Sequence, residues 1–212
     1  MSNLVLNLSK PGEAAPKLSL NLNKGEEFKV RLSWDGNTDL DLHALVTVNT
    51  GSGAKASSLG DILSTYNVER VLEGGVKAGT LPLAADKTFS VHAGALVHSP
   101  DARDGSLAGD DEYVTVKPRL LTMPAAGHLE IPLLAMIHPQ ASGKTFKHVE
   151  NARVIIENSA GQPQLDVGLS SQFGAFVGVQ MGSIVVDGNG ASFVGVGVGF
   201  NTDFNGVLGH FS

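Results

Sequence analysis

Apolar side chains recur at every second position along much of this chain. In "KLSLNLNKGEEFKVRLSW", Leu18, Leu20 and Leu22 share one face, and Phe28, Val30 and Leu32 share another. A period of two places alternate side chains on opposite sides of an extended backbone, so the stretch predicts two strands with a turn at Asn23–Glu26. The same pattern predicts strands over Phe89–His98, Tyr113–Val116, His128–Ile137, Ala152–Glu157, Phe173–Gln180, Gly182–Val186 and Ser192–Phe200. "DGNG" at Asp187–Gly190 separates two of these and marks a hairpin. Helical periodicity is scarce: "LGDILSTYNVERVL" suits a turn or two, and "TFKHVENA" a short helix. The expected fold is an all-β sandwich with short helical segments in its connections, one domain over residues 1–212. The near-repeat "LNLSK" at Leu6–Lys10 and "LNLNK" at Leu20–Lys24 fits a duplicated edge hairpin or coincidence. The Gly/Ala-rich stretch Glu73–Asp86 reads as a surface loop.

Composition narrows the function by exclusion. A net charge of −6 with no lysine/arginine cluster argues against nucleic-acid binding. The absence of cysteine removes disulfides, thiolate metal sites and cysteine nucleophiles, and with them direct reduction of an oxyanion by a thiol. The N-terminus lacks the basic start and apolar run of a secretion signal, and no apolar run reaches the ~18 residues of a membrane span. The chain is therefore expected to be soluble and cytoplasmic.

Candidate chemistry sits in "WDGNTDLDLHALV", Trp34–Val46, where Asp35, Asn37, Asp39 and Asp41 alternate with apolar residues. On a strand, Asp39, Asp41 and His43 lie on one face while Leu40, Leu42 and Ala44 point to the core. Carboxylates two residues apart are separated by about 6.6 Å and repel, more strongly where water is excluded; a cation reverses the sign. Hard oxygen donors favour calcium over zinc or copper. Calcium takes ~6–8 oxygens, so this segment needs help. The second acidic stretch, "SPDARDGSLAGDDEYV", offers Asp101, Asp104, Asp110, Asp111 and Glu112, with Gly105 and Gly109 permitting a tight loop. Either segment alone also fits a solvated turn. An EF-hand is excluded, because counting Asp35 as the first ligand puts Leu40 at the glycine position and Val46 at the glutamate position.

Several local patterns, in order, resemble the TerD-like family of tellurium-resistance and stress proteins along nearly the whole chain. They are "LSWDGNTDLDLHALV", "LSTYNVE", "PDARDGSLAGDDE", "LLAMIHP", "FKHVENARVII" and "FVGVGVGFNTDFNGVLGHF". The resemblance implies a calcium-binding β-sandwich without enzymatic activity, with Asp39, Asp41, Asn67, Asp101, Asp110, Asp111 and Glu112 as metal ligands. Asn37, Val68, Pro100, Ala102 and Pro139 depart from the family pattern, which implies weaker or fewer ions in a divergent relative. The segment between Asn67 and Asp101 is also longer than is usual in the family.

Other chemistry falls away. "SGKT" at Ser142–Thr145 lacks the phosphate loop's first glycine, since His138 stands there. "GVGVG" at Gly195–Gly199 alternates on a strand, its glycine face suited to close packing of a ring or backbone. No G-x-S-x-G or H-E-x-x-H spacing is present, so an acidic pair working as general acid and base has no visible pocket to serve. His43 is expected to be a surface or satisfied core histidine, and Trp34 a core anchor beneath the acidic face. The expected function is a non-enzymatic calcium-binding scaffold or binding module of a stress or tellurite-resistance system, ordered by the ion and engaging a protein partner. The alternative is a phage virion structural or decoration protein on the same fold, self-assembling and with reduced metal binding.

Overall fold

The computed structural model describes residues 19–22, 27–106 and 111–212. The predicted turn at Asn23–Glu26, the first copy of the near-repeat and Asp110 lie outside them. In chain order the first strands are β1 (Ser19–Leu22), β2 (Phe28–Asp35), β3 (Leu40–Leu45), β4 (Thr47–Asn49), β5 (Ala54–Lys55) and β6 (Ile62–Leu63). Next come β7 (Arg70–Val71), β8 (Lys77–Ala78), β9 (Phe89–Val91), β10 (Leu96–His98) and β11 (Glu112–Val116). The last are β12 (His128–Ile137), β13 (Glu150–Glu157), β14 (Pro163–Gly168), β15 (Gly178–Val186) and β16 (Ala191–Phe200). Two short helices, α1 (Leu169–Gln172) and α2 (Phe204–Leu208), complete the set.

These strands form an all-β sandwich. One sheet runs β1-β16-β15-β12-β3-β6, with β4 on β12 and β5 on β4; the other runs β14-β13-β2-β11-β10-β9; β7 and β8 stand apart as a hairpin. The alternation along β2 does what its period requires, burying Phe28, Val30, Leu32 and Trp34 while the residues between stay half-exposed. They join Leu40, Leu42, Ile131 and Leu133 of the facing sheet in one apolar core. Burying a side chain of this size is worth about 1.5–3 kcal/mol.

β3 departs from simple alternation, since all six of its residues are buried. Its second face is closed by the C-terminal segment, whose Phe204, Val207 and Phe211 pack on Leu45, Ile62, Leu134 and Met136. The helix doing this is capped by Asp203, whose Oδ1 accepts from Gly206 N at 2.8 Å.

Other differences from the expected elements have local causes. Phe89–His98 is a hairpin, because His92, Ala93 and Gly94 all take positive φ (51°, 52° and 84°) and turn the chain between β9 and β10. Phe173–Gln180 becomes strand only at Gly178, and Gly182 lies within the same strand, β15, whose pairing with β16 shifts register between Gln180 and Gly182. The loop expected over Glu73–Asp86 includes β8, which pairs with β7. The expected short helix in "TFKHVENA" is one 3-10 turn, Phe146–His148. The glycine face of β16 serves close packing: a Cβ at Gly199 would lie 2.4 Å from the Phe176 ring.

Candidate metal centre

At one end of the sandwich, three chain segments bring carboxylates together. Asp41 comes from β3, Asp101 from the loop after β10, and Glu112 from the start of β11. One oxygen from each lies within 4.8 Å of the others. Two unit charges at such a separation repel by roughly 3 kcal/mol at an effective dielectric constant of about 20.

Each carboxylate is positioned by its own surroundings. A 3-10 turn at Thr65–Asn67, capped by the Ser64 side chain, presents two hydroxyls to Asp41. Thr65 Oγ1 donates to Asp41 Oδ1 at 2.8 Å and Tyr66 Oη to Oδ2 at 2.5 Å. Burial raises the Asp41 carboxyl to about 6, partly offset by these two donors. Glu112 is fully buried. Its Oε2 accepts from Leu42 N at 2.7 Å, and Oε1 from Ala102 N at 3.4 Å, so one side chain ties β3 to the Asp101 loop. Burial, then repulsion from Asp41, pushes the Glu112 carboxyl well above the ordinary range. His98 lies 3.7 Å from Glu112 Oε2, with Nδ1 at 2.8 Å from Ser99 O and Nε2 at 2.9 Å from Leu42 O. Burial lowers the His98 imidazole, opposed by these two carbonyls, which favour a ring protonated on both nitrogens.

The remaining expected ligands fall in different places. Asp39 lines a cavity together with Asp41 and Asp101; its Oδ2 is 3.8 Å from His138 Nδ1, while buried Oδ1 has no hydrogen-bond partner among the described residues. Burial raises its carboxyl too, against the pull of His138. Asn67 spends its side chain elsewhere: Nδ2 donates to Leu59 O and Ile62 O, and Oδ1 accepts from Thr80 Oγ1. Asp111 Oδ2 accepts from Trp34 N at 2.9 Å, fastening the strand that carries Glu112 to the end of β2. His43 shares the Asp41 face as strand geometry requires, but it is fully buried between Tyr66 and Phe204, with ring centroids 5.1 and 4.4 Å away. Burial lowers the His43 imidazole to about 3, and no hydrogen-bond partner for either ring nitrogen lies among the described residues.

Thr65, His98, Arg70, Arg103 and His138 were absent from the expected ligand set, although each touches a cluster carboxylate or lines the cavity above it. Only "LSTYN" carried a signal for any of them: a hydroxyl pair before the asparagine already singled out.

Trp34 is the buried anchor expected, and Gly105 locks the Asp101 loop onto it. Gly105 N donates to Gly36 O at 2.9 Å, and a Cβ at Gly105 would lie 2.3 Å from Trp34 O and 2.6 Å from the indole Cδ1. Neither backbone nor core indole can yield cheaply. Gly105→Ala is therefore expected to cost about 1–3 kcal/mol and to displace Asp101. Both effects are readable in the urea midpoint and in emission from Trp34, the one tryptophan of the chain.

The donor set fits a hard divalent cation: oxygen ligands, mutual repulsion without one, and an orphaned buried carboxylate oxygen beside them.

No family model and no curated protein sequence matches the chain. Solved structures do. A homologue of the telluride resistance protein TerD from Streptomyces coelicolor superposes with a TM-score of 0.63 at 18% identity, over 88% of this chain and 96% of that one. A protein of unknown function superposes with a TM-score of 0.61 at 17% identity, over 86% of this chain and 94% of the other. The chain thus has the TerD-like fold, carried by a sequence far diverged from those of its structural neighbours.

Proposed function

We propose that the chain is a non-enzymatic, calcium-binding scaffold of the TerD type that serves a stress or tellurite-resistance system inside the cell by engaging a protein partner. The observation that carries this reading is the convergence of Asp41, Asp101 and Glu112 from three segments, with one oxygen of each within 4.8 Å of the others. Three carboxylates held this close, two of them buried, are costly unless protonated or neutralised by a cation. A bound divalent ion would release their protons and tie β3, the 99–106 loop and β11 together. Oxygen-only donors favour calcium or magnesium, and the irregular set, with its long loop, suits the looser coordination of calcium.

Calorimetric titration of the full chain with calcium is expected to give a saturable isotherm below millimolar concentration, with a parallel change in Trp34 emission. Asp41→Asn combined with Asp101→Asn is expected to abolish both signals. An absence of heat at millimolar calcium would remove the ion from the mechanism.

A further inference from the structure

Above the cluster lies a cavity of about 340 Å³ whose floor is acidic and whose rim is not. Arg70 and Arg103 line it, together with His138 and Gln140. The two guanidinium groups are not consumed by the carboxylates below them. Arg70 Nη1 donates to the backbone, to Tyr66 O at 2.7 Å and Val68 O at 3.4 Å. That holds the group in place while most of its five N–H donors remain available. Arg103 is 87% exposed and reaches Asp101 only at 3.8 Å.

Arg70 opens the β7–β8 hairpin, and the same hairpin carries an apolar tip. Val71, Leu72 and Val76 are 70%, 45% and 60% exposed, and Val71 and Val76 are the two most exposed large apolar residues described. The hairpin is short and closed by Leu72 N donating to Val76 O, so these side chains have no core of their own to enter. Arg70 lines the cavity and its hairpin exposes these apolar residues, and arginine beside exposed apolar side chains is the composition of a recognition surface.

We propose that this end of the sandwich is an ion-gated receptor for a carboxylate side chain of a protein partner, in which the bound cation and Arg70 and Arg103 grip the carboxylate and the β7–β8 hairpin covers the apolar residues flanking it. The proposal rests on the cation site proposed above. Without a cation the floor repels an anion, so the two arginines face an empty attraction. With a divalent cation the sign reverses, and because calcium takes ~6–8 oxygens the protein carboxylates leave positions for an outside one. Guanidinium groups match the planar carboxylate with paired N–H donors. Val71, Leu72 and Val76 do not line the cavity, so a free small acid held in it would leave them uncovered; a ligand that continues as polypeptide would not.

The test uses the full chain and two blocked pentapeptides, one with a central aspartate flanked by leucines and one with asparagine in its place. With calcium present, calorimetry is expected to show binding of the aspartate peptide at least tenfold tighter than the asparagine one, and none in chelator. Arg70→Ala with Arg103→Ala should weaken the aspartate peptide at least tenfold while calcium still binds at least as tightly as to the parent chain, since two positive charges leave its surroundings. Val71→Ser with Val76→Ser should weaken it severalfold. A normal calcium isotherm with both peptides binding alike, or neither binding at millimolar concentration, overturns this proposal and leaves the ion site standing. Complete displacement by an equal concentration of inorganic phosphate would make the cavity a site for free oxyanions and overturn the assignment to a protein. Absence of a calcium isotherm in the parent chain removes both.

Discussion

Glu112→Ala is expected to be the most damaging single change at this end of the molecule, lowering stability by about 3–5 kcal/mol through lost hydrogen bonds and a buried cavity. The side chain is wholly buried and serves three partners at once: the Leu42 amide, the Ala102 amide and, at 3.7 Å, His98. Truncation leaves the Leu42 N–H without its acceptor and opens space beside a buried imidazole that faces two carbonyls. An amide stripped of its partner costs about 1–3 kcal/mol, and the cavity left by a wholly buried side chain adds to it. For a chain of this length the shift corresponds to a melting temperature lower by about 10 °C or more. Asp101→Asn supplies the contrast. That carboxylate is 43% exposed, and its ion pair with Arg103 is loose. Its loss is expected to change stability by less than about 0.5 kcal/mol in chelator, while calcium affinity falls at least tenfold. Urea unfolding in chelator alongside calcium calorimetry separates the two roles. If Asp101→Asn destabilised the ion-free chain as much as Glu112→Ala, the cluster would be architectural rather than a binding site.

How much of this was legible in the sequence depends on the range of the interaction involved. Period-two alternation is set by the backbone, so β2, β12 and β16 were readable within a residue or so. The acidic face was readable for the same reason: Asp39, Asp41 and His43 must share a side of their strand. What covers that side was not. Phe204 reaches it from the far end of the chain, and no local pattern announces that a core histidine there will lie against its ring. The partition of the second acidic stretch was hidden too. Glu112 and Asp111 are neighbours, yet one reaches Leu42 N across the interior and the other is taken by Trp34 N. Asn67 fits the ligand pattern by position but spends its amide on Leu59, Ile62 and Thr80. The left-handed turn at His92–Gly94 was illegible because two of its three residues are ones that rarely take positive φ.

Calcium and pH are expected to act on melting temperature with opposite signs, so that curves with and without the ion diverge as pH rises. In the ion-free chain, Asp41 titrates at about 6 instead of the unfolded 3.8, since burial favours the protonated form. A carboxyl raised on folding contributes stability that is complete below the unfolded value and is lost as pH climbs through the folded one. Between pH 5 and pH 7 that loss amounts to roughly 1 kcal/mol from Asp41, or about 2–4 °C for a chain of this size. Glu112, raised further, adds its own decline over the same window and extends it to higher pH. The ion reverses the trend. It binds the ionised carboxylates, so going from pH 7 to pH 5 costs about tenfold in affinity through Asp41 alone, and more through Glu112. At pH 7, calcium at about 100 times its dissociation constant should add about 2.7 kcal/mol, a rise of about 5–10 °C. At pH 5 the same concentration should add much less. Asp41→Asn is the control: it removes the proton and the ligand together, so its two melting curves should nearly coincide and lose Asp41's share of the pH dependence while keeping that of Glu112. Should the parent chain in chelator show the same change in melting temperature between pH 5 and pH 7 as Asp41→Asn, the buried Asp41 carboxyl would not be protonated in the fold. The electrostatic case for a cation at this site would then fall with it.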